Sequence, residues 1–443
     1  MYVADVKIFP SFDYGRGEHE TTLCQTSLCS KDTESKAATF HSKDVKLQLD
    51  VSIEDIEGNK ECPTVSFKKV HKNGLLGDGL IARIHIHEGQ TVSFVLRNDI
   101  PNHITKDITT LVLDGQQHDT QSFWFNFISQ SKYRGRWMEV VTRSLMILKM
   151  LTYGEQHNMK ILEPSHSCRQ LILIMDGLTI CNLEPTGAII AAPTFSIPED
   201  IGNQRNWDYR YSWIRDSSFS IYILLRLGFR AEADAYMNFI MERFVHSRLP
   251  DGGLPIMFTI RGGTDIPETT LDHLEGYRGS RPVRIGNEAA FHHQFDIYGE
   301  LMDAIYLYNK YGKPVHWEVW KAVRELLGEL KIDYSILPSF KTIELTTSHY
   351  LDYVLTIMHR KYTHQRTVDT RREHEANAQA EPDMSIWEVR NNKRRFTYSQ
   401  VMLWVAFDRG LRLSEKRCLP CPNRDAWLKA RDTLYEEIME KGK

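Results

Sequence analysis

The first chemical signal in the sequence is a carboxylic acid placed beside an aromatic ring. Residues 385–390 read SIWEVR, so Glu388 follows directly on the indole of Trp387. Partial removal of a carboxyl group from water by a neighbouring ring favours its protonated form, which is the form that a general acid requires. Glu388 is therefore the candidate proton donor, with Trp387 as its neighbour.

A second segment supplies the groups that a sugar ring needs for binding. Residues 206–216 read NWDYRYSWIRD. The rings of Tyr209 and Trp213 are of the kind that stack on the apolar faces of a pyranose, and the charged groups of Arg215 and Asp216 suit its hydroxyl groups. A structural interpretation stays open: Trp213 is a core residue, Arg215 pairs with Asp216, and Glu388 lies on the surface.

Composition narrows the function classes. The chain has 443 residues, 55 Lys and Arg against 58 Asp and Glu, and a net charge of −3. It therefore lacks the excess of basic residues that is typical of nucleic-acid-binding proteins, and no nucleic-acid partner is expected. The apolar stretches at 145–151 and 171–180 are too short for a bilayer, which predicts no membrane partner. The first residues do not form a secretory signal and the sequence contains no N-x-[ST] sequon, which predicts a cytoplasmic protein.

Metal and cofactor motifs are weak. Cys418 and Cys421 form a C-x-x-C, but prolines at 420 and 422 indicate a turn and no second ligand pair follows. Neither of the glycine-rich phosphate signatures occurs. We therefore expect the protein to need no metal and no cofactor.

Hydrophobic periodicity divides the chain into a β-rich first part and a helical second part. Apolar residues alternate over 45–53, and again over 80–87 and 92–96 around a turn at Glu88 and Gly89, which predicts a hairpin in a β-rich part covering residues 1–130. Spacing over 137–151 predicts a helix that leads out of it. The helical pattern then recurs, with one helix stopped by Gly228. The predicted helices span 216–227, 231–245, 288–311, 315–330, 398–414 and 425–441.

Three segments carry a resemblance to a known family. They are NWDYRYSWIRDSSFSIYILLRLGF at 206–229, LDHLEGYRGSRPVRIGN at 271–287 and SIWEVRNNKRRFTYSQVMLWVAFDRGLRL at 385–413. Together they resemble glycoside hydrolase family 15, the family of glucoamylases and bacterial-type trehalases. The resemblance implies a β-sandwich N-terminal part, a linker helix and an all-α, (α/α)6-toroid-like catalytic domain. The predicted boundaries are 1–130, 131–183 with the linker helix and an atypical insertion, and 184–443.

The resemblance also implies an activity and roles for residues. The family hydrolyses terminal α-glucosidic bonds with inversion, in malto-oligosaccharides, starch ends or trehalose, so an α-glucoside or oligosaccharide is the expected substrate. Its general acid matches Glu388. Positions implied to bind or wall in the terminal glucose, followed by weaker candidates on a rim loop, are Tyr209, Trp213, Arg215, Asp216 and Trp387, then Arg281, Arg284 and Asn287.

The sequence departs from the family pattern in several places. We find no match before Lys443 to the glutamate that serves the family as general base, and fewer helices than an (α/α)6 ring requires. An incomplete barrel, truncated at both ends of the chain, is therefore expected. Residues 154–183 and 330–380 are foreign to the pattern, either as loops or as incorrectly joined coding segments.

Two functions remain open on these observations. The first is a family 15-type glycosidase with Glu388 as its acid. The alternative is a catalytically inactive fragment or pseudoenzyme that at most binds sugar, because general-base assistance alone contributes about 10²–10⁴-fold to a rate.

Overall fold

The protein divides into two compact units. The computed structural model describes residues 2–26, 35–43, 45–55, 63–73, 75–98, 110–153, 186–247, 253–330, 382–388 and 393–441. The first unit holds the described residues up to Ser129, and the second holds those from Gln130 onward. The stretches predicted to be foreign to the family pattern, 154–183 and 330–380, lie outside the described residues apart from Leu330.

Two antiparallel sheets and one helix form the described part of the first unit. One sheet has the order β1-β6-β5 and the other β2-β3-β4-β7. The elements are β1 (Tyr2–Ile8), a 3-10 turn (Phe12–Gly15), β2 (Glu20–Thr26), β3 (Ser35–Ser42), β4 (Val45–Asp55), β5 (Thr64–His71), β6 (Asp78–Ile86), β7 (Gln90–Asn98) and α1 (Thr110–Ser129). Strand β4 confirms the alternation over 45–53.

The two sheets share their apolar core. One cluster joins Phe40 and Leu49 of the second sheet to Leu80 of the first. Another joins Val51 to Ala82 and Ile84. Burial of one face of each strand is the main favourable contribution to the stability of such sheets.

The predicted hairpin is wrong in its pairing. The turn is present, since the amide of Gln90 donates to the carbonyl of His87 at 3.2 Å. However, β6 pairs with β1 and β5, whereas β7 pairs with β4. The apolar residues of β7, such as Phe94, pack on the same clusters as those of β6. The two strands therefore bury their apolar faces against a common core from different sheets.

Helices dominate the second unit. They are α2 (Met138–Met150), α3 (Ile214–Leu227), α4 (Arg230–His246), α5 (Asp296–Tyr311), α6 (Trp317–Glu329), α7 (Thr397–Arg417) and α8 (Arg424–Lys441). Two 3-10 turns span Tyr277–Gly279 and Glu288–Phe291. Short antiparallel pairs join Thr152–Tyr153 to Ala188–Ile189, Phe195–Pro198 to Asn206–Asp208, Ser212–Trp213 to Met257–Phe258, and Thr269–Thr270 to Arg284–Ile285.

Most predicted helices of this unit are confirmed to within three residues at each end. Helix α3 ends at Leu227, where Gly228 adopts a φ of 100° that favours glycine. The helix predicted over 288–311 is wrong in its first part, because Asn287 caps a 3-10 turn and α5 begins only at Asp296. The carbonyl of His293 and the amide of Phe295 bond to the segment 383–384 instead of continuing a helix.

Three helices lie side by side with their first turns at the same end. Helix α5 packs against both α3 and α7, while α4 packs on α3 and α8 on α7. The contact between α5 and α7 is close, because a Cβ added at Gly299 would lie 2.0 Å from the carbonyl oxygen of Met402. This approach brings the beginnings of α5 and α7 together.

None of the helices among the described residues is long and apolar enough to cross a lipid bilayer.

Gly299→Ala is expected to destabilise the protein by about 1–3 kcal/mol, because α5 and α7 must separate to admit the methyl group. Gly328→Ala is the matched control, since its Cβ would lie 3.7 Å from the nearest atom, on Asn423. The control should be neutral or more stable. Urea denaturation midpoints measure both, and equal stability of the two variants would contradict the close packing at Gly299.

Candidate active site

The candidate site lies where the first turns of α3, α5 and α7 meet. Arg215 is the second residue of α3, Asp296 the first of α5, and Tyr398 the second of α7. The unpaired amides of a helix N-terminus give it a partial positive charge, which stabilises nearby carboxylates. The packing of the three helices therefore assembles an environment suited to acidic side chains.

A buried guanidinium connects these helices. Nη1 of Arg215 donates to Oε1 of Gln294 at 2.9 Å and to Oδ2 of Asp296 at 3.1 Å. Nη2 of Arg215 lies 3.4 Å from Oε1 of Glu388. The side chain of Arg215 is only 10% exposed, so its charge is compensated by protein groups. The structure thus links Arg215 to Asp296 and Glu388, and the open interpretation that it pairs chiefly with Asp216 is wrong.

Three N–H donors converge on one oxygen of Glu388. Besides Arg215, Oε1 accepts from Nε1 of Trp213 at 3.1 Å and from Nε2 of Gln294 at 3.3 Å. The Glu388 side chain is 26% exposed. Because Oε1 is engaged by these donors, the carboxyl group has a defined orientation.

The segment that carries Glu388 is anchored at Asp383. Oδ2 of this buried aspartate accepts from the amide of Phe295 at 2.9 Å and from Oγ of Ser399 at 2.7 Å. Residues Ser385 and Glu388 both adopt positive φ angles, of 48° and 49°. Such angles are uncommon for residues with a side chain and are maintained only by surrounding contacts. Anchoring at Asp383 thus supports a strained turn that presents Glu388.

Aromatic rings line the approach to Glu388. The ring centroids of Tyr209 and Trp213 are 6.1 Å apart at 34°, and Trp213 is buried. Burial, together with the charges of Glu199 and Glu388, raises the pKa of Tyr209, so this phenol stays protonated. The indole that contacts Glu388 is that of Trp213, whereas Trp387 is 68% exposed. The expected shielding of Glu388 by its sequence neighbour is therefore replaced by a hydrogen bond from Trp213.

Asp216 lies next to Arg215 at the start of α3 and is half-buried. Burial raises the pKa of Asp216, the charge of Arg215 opposes this shift, and the charge of Glu388 adds to it. Asp216 thus belongs to the same electrostatic cluster as Arg215 and Glu388, and its contact with substrate stays a prediction.

The rim-loop candidates have structural partners in this conformation. Nε of Arg284 pairs with Glu268 at 3.0 Å, and its guanidinium lies 4.8 Å from the ring centroid of Trp207. Asn287 is buried; its Oδ1 accepts from the amide of Ala289 and its Nδ2 donates to the carbonyl of Asp208. Arg281 is exposed. Arg284 and Asn287 therefore stabilise the loop in this conformation, and their contact with substrate stays a prediction.

Sequence reasoning missed the polar groups that support Arg215 and Glu388, namely Gln294, Asp296, Glu300, Asp383 and Tyr398. A signal was available, because Asp296 and Glu300 are spaced four residues apart on the same face of a helix as Leu301 and Ala304, which are buried. Acidic residues on a buried helix face are rarely tolerated without a specific partner.

Within the described ranges, no group of three or more His, Cys, Asp or Glu side chains is arranged to hold a metal ion. Cys418 follows the last residue of α7 and is exposed, and Cys421 is partly exposed in the same turn. This location matches the turn predicted for the C-x-x-C.

Comparison with known proteins identifies the family. The sequence model of Glycosyl hydrolases family 15 matches residues 172–335 and 343–443, which is more than half of the chain. The chain therefore belongs to this family, and the resemblance carried by the three segments is confirmed. A solved glycosidase aligns over 58% of this chain and 53% of its own, at 16% identity and a TM-score of 0.33, too low to support a structural argument.

Several relatives are trehalases. A trehalase of Thermoplasma acidophilum is 32% identical over 324 residues, covering 73% of this chain and 42% of the relative. One of Mycolicibacterium smegmatis is 36% identical, covering 57% and 31%. One of Mycobacterium tuberculosis is 33% identical, covering 63% and 34%. The chain thus spans less than half of the length of these relatives.

Asp383→Ala is expected to loosen the turn that carries Glu388 and to destabilise the protein by about 2–4 kcal/mol, because two buried donors lose their acceptor. Ser399→Ala removes one of the two bonds and should cost about 1 kcal/mol. Hydrogen exchange of residues 382–388, read by mass spectrometry alongside denaturation, measures the effect. Unchanged exchange in Asp383→Ala would show that this aspartate does not anchor the segment.

Proposed function

We propose that this chain carries the glucose-binding pocket and the general acid of an inverting α-glucosidase, with trehalose as the substrate. The convergence of three N–H donors on Oε1 of Glu388 is the observation that carries the proposal, because it orients a partly accessible carboxyl group within the cluster. The names of the relatives support trehalose among the substrates of the family.

In the proposed reaction, Glu388 donates a proton from Oε2 to the glycosidic oxygen as the bond to the anomeric carbon breaks. The carboxylate left behind is negatively charged. The N–H groups of Trp213, Gln294 and Arg215 already point at Oε1, so they stabilise this charge without rearrangement. The reaction needs only a proton donor, a proton acceptor and water, with no metal or organic cofactor.

The proposed glucose pocket uses the aromatic and charged groups of the segment 209–216. Tyr209, which is partly exposed, would stack on the sugar. Trp213 is buried, so it would support the pocket from behind through its ring contact with Tyr209 and its hydrogen bond to Glu388. Asp216 and Arg215 would bind hydroxyl groups through charge-assisted hydrogen bonds. Trp387, being exposed, would lie at the rim beside the leaving group.

An inverting reaction also requires a carboxylate that activates water, roughly 6.5–9.5 Å from the acid. Of the described carboxylates linked to Arg215, Asp296 and Glu300 are buried, and neither can reach a water molecule beside a substrate. Asp216 is already assigned to the sugar. The second candidate function, which is binding of α-glucosides without turnover, follows if none of the described carboxylates activates water.

The finer architecture is part of the same proposal. We propose a β-sandwich for the first unit, supported by the apolar clusters that join its two sheets. For the second unit we propose an (α/α)6-type ring, supported by the row α3, α5 and α7 with α4 packed on α3 and α8 on α7. In the proposed ring, the site lies at the end where α3, α5 and α7 begin.

Glu388→Gln is expected to lower glucose release from trehalose by about 10²-fold or more, because the amide has no transferable proton. Glu139→Gln makes the same chemical change on the exposed face of α2, where Glu139 pairs with Arg143, and should leave the rate unchanged. Proton NMR of the first products should show equal α- and β-glucose, as inversion at one of two α-linked anomeric carbons requires. Equal rates for the two variants would refute the role of Glu388.

If the unaltered chain releases no glucose from trehalose or maltose, calorimetric titration with trehalose separates the remaining outcomes. Binding that is lost in Arg215→Ala but retained in Glu388→Gln would support the second candidate. Absence of both binding and turnover in a folded chain would refute the sugar site itself.

A further inference from the structure

Two carboxylic acids are buried one turn apart on α5. Asp296 and Glu300 are 0% and 1% exposed, and residues four apart on a helix are neighbours on its surface. Oδ1 of Asp296 and Oε2 of Glu300 have no hydrogen-bond partner within the part of the chain that the structure describes. Two unsatisfied buried acceptors close to one another are costly, unless one of them carries a proton.

The groups facing Glu300 come from all three helices that meet at the site. On α7, the hydroxyl of Tyr398 donates to Oε1 of Glu300 at 2.7 Å. On α3, Arg215 and Asp216 act on Glu300 through their charges, and on α5 Asp296 does so. One cation therefore faces several carboxylates, and it is also shared with Glu388.

The charge balance of this cluster favours a neutral Glu300. Burial, and next the charge of Asp296, raise the pKa of Glu300 to about 8, while the hydrogen bond from Tyr398 and the charge of Arg215 act in the opposite direction. Burial also raises the pKa of Asp296, but Arg215 bonds to it directly and opposes the shift. These contacts favour the proton on Glu300 and the negative charge on Asp296.

We propose that Glu300 and Asp296 form a buried carboxyl–carboxylate pair that retains one proton, and that this proton makes Glu300 a positioning residue for Arg215. With the proton on Oε2, Glu300 becomes a donor toward Oδ1 of Asp296, which satisfies both unpartnered atoms. A single negative charge then remains on α5 opposite the guanidinium.

Loss of this proton would change the position of Arg215. With both carboxyl groups ionised, the guanidinium is attracted more strongly toward α5, and its contact with Glu388 is the longest of its three hydrogen bonds, at 3.4 Å. This catalytic consequence rests on the proposed function of Glu388. The existence of the proton does not, because it follows from the burial and contacts of α5.

The proton can be detected through stability. In the unfolded chain Glu300 has its ordinary pKa of 4.5, whereas in the folded protein its pKa is about 8. Between these two values the folded state binds more protons than the unfolded state, so stability decreases as pH rises. The contribution is fully present below pH 4.5 and is lost once pH passes about 8.

Thermal unfolding of the full chain between pH 5 and pH 9 tests the proposal. Glu300→Gln keeps a neutral group that can donate, so its Tm should fall less over this range than that of the wild type, by roughly 2–5 °C. Asp303→Asn is the matched control on the same helix, where Asp303 pairs with Arg409 and is partly exposed. The control should keep the wild-type slope. Parallel Tm curves for wild type and Glu300→Gln would overturn the proposal.

A second variant keeps the test decisive if Glu300→Gln does not fold. Tyr398→Phe removes a donor that favours the ionised form of Glu300, so the pH interval over which Tm falls should move upward. An unmoved interval in Tyr398→Phe would overturn the proposal independently. A purely structural role for Tyr398 would lower Tm equally at every pH.

The effect on the site is measured separately. If trehalose is hydrolysed, kcat of the wild type should decline between pH 7 and pH 9 more steeply than that of Glu300→Gln. KM of the wild type for trehalose should change over the same pH range, because Arg215 moves there. If the wild type and Glu300→Gln have identical pH profiles of kcat and KM but show the expected Tm difference, the proton on Glu300 is supported and its effect on Arg215 is rejected. If the chain shows no turnover, the Tm result still tests the proton on Glu300. Failure of the proposed function is therefore distinguishable from failure of this inference.

Discussion

A buried arginine must be compensated by anions and hydrogen-bond acceptors, since an unpaired guanidinium in the protein interior is strongly destabilising. Arg215 satisfies this requirement through Gln294 and Asp296 from one segment of the chain and Glu388 from another. The planar guanidinium offers donors in fixed directions, so its partners must be placed accurately. The packing of α3 against α5 and the anchoring of the 383–388 segment both serve that placement.

The chemistry of the site was more predictable from the sequence than its support. Glu388, Trp213 and Arg215 could be selected because their residue types, close to one another in short segments, match what a sugar requires. The polar residues behind them could not be selected in the same way. Gln294 and Asp296 acquire their roles only through contacts with Arg215, which lies 79 and 81 positions earlier in the chain. The spacing of Asp296 and Glu300 indicates buried acids, but it does not identify Arg215 as their partner.

The fold shows a similar division. Alternation of apolar residues predicts which face of a strand is buried, but not which strand lies beside it, so β6 and β7 were assigned to one hairpin although they belong to different sheets. Periodicity likewise predicts α5 but extends it back to Glu288. The helix begins only at Asp296, because the residues before it bond to the 383–388 segment. In both cases long-range hydrogen bonds overrode a local preference.

The order of the helices along the chain has a consequence for folding. Glu388 lies 173 positions from Arg215, and the cluster is closed by the first turn of α7, which follows every other element of the site. Local helix pairs can form early, whereas contacts of such long sequence separation form late because they restrict the most chain entropy. A nascent chain that has reached only α6 would hold Arg215 without its partner Glu388. Formation of α7 and docking of the 383–388 segment are therefore the steps that complete the cluster around Arg215.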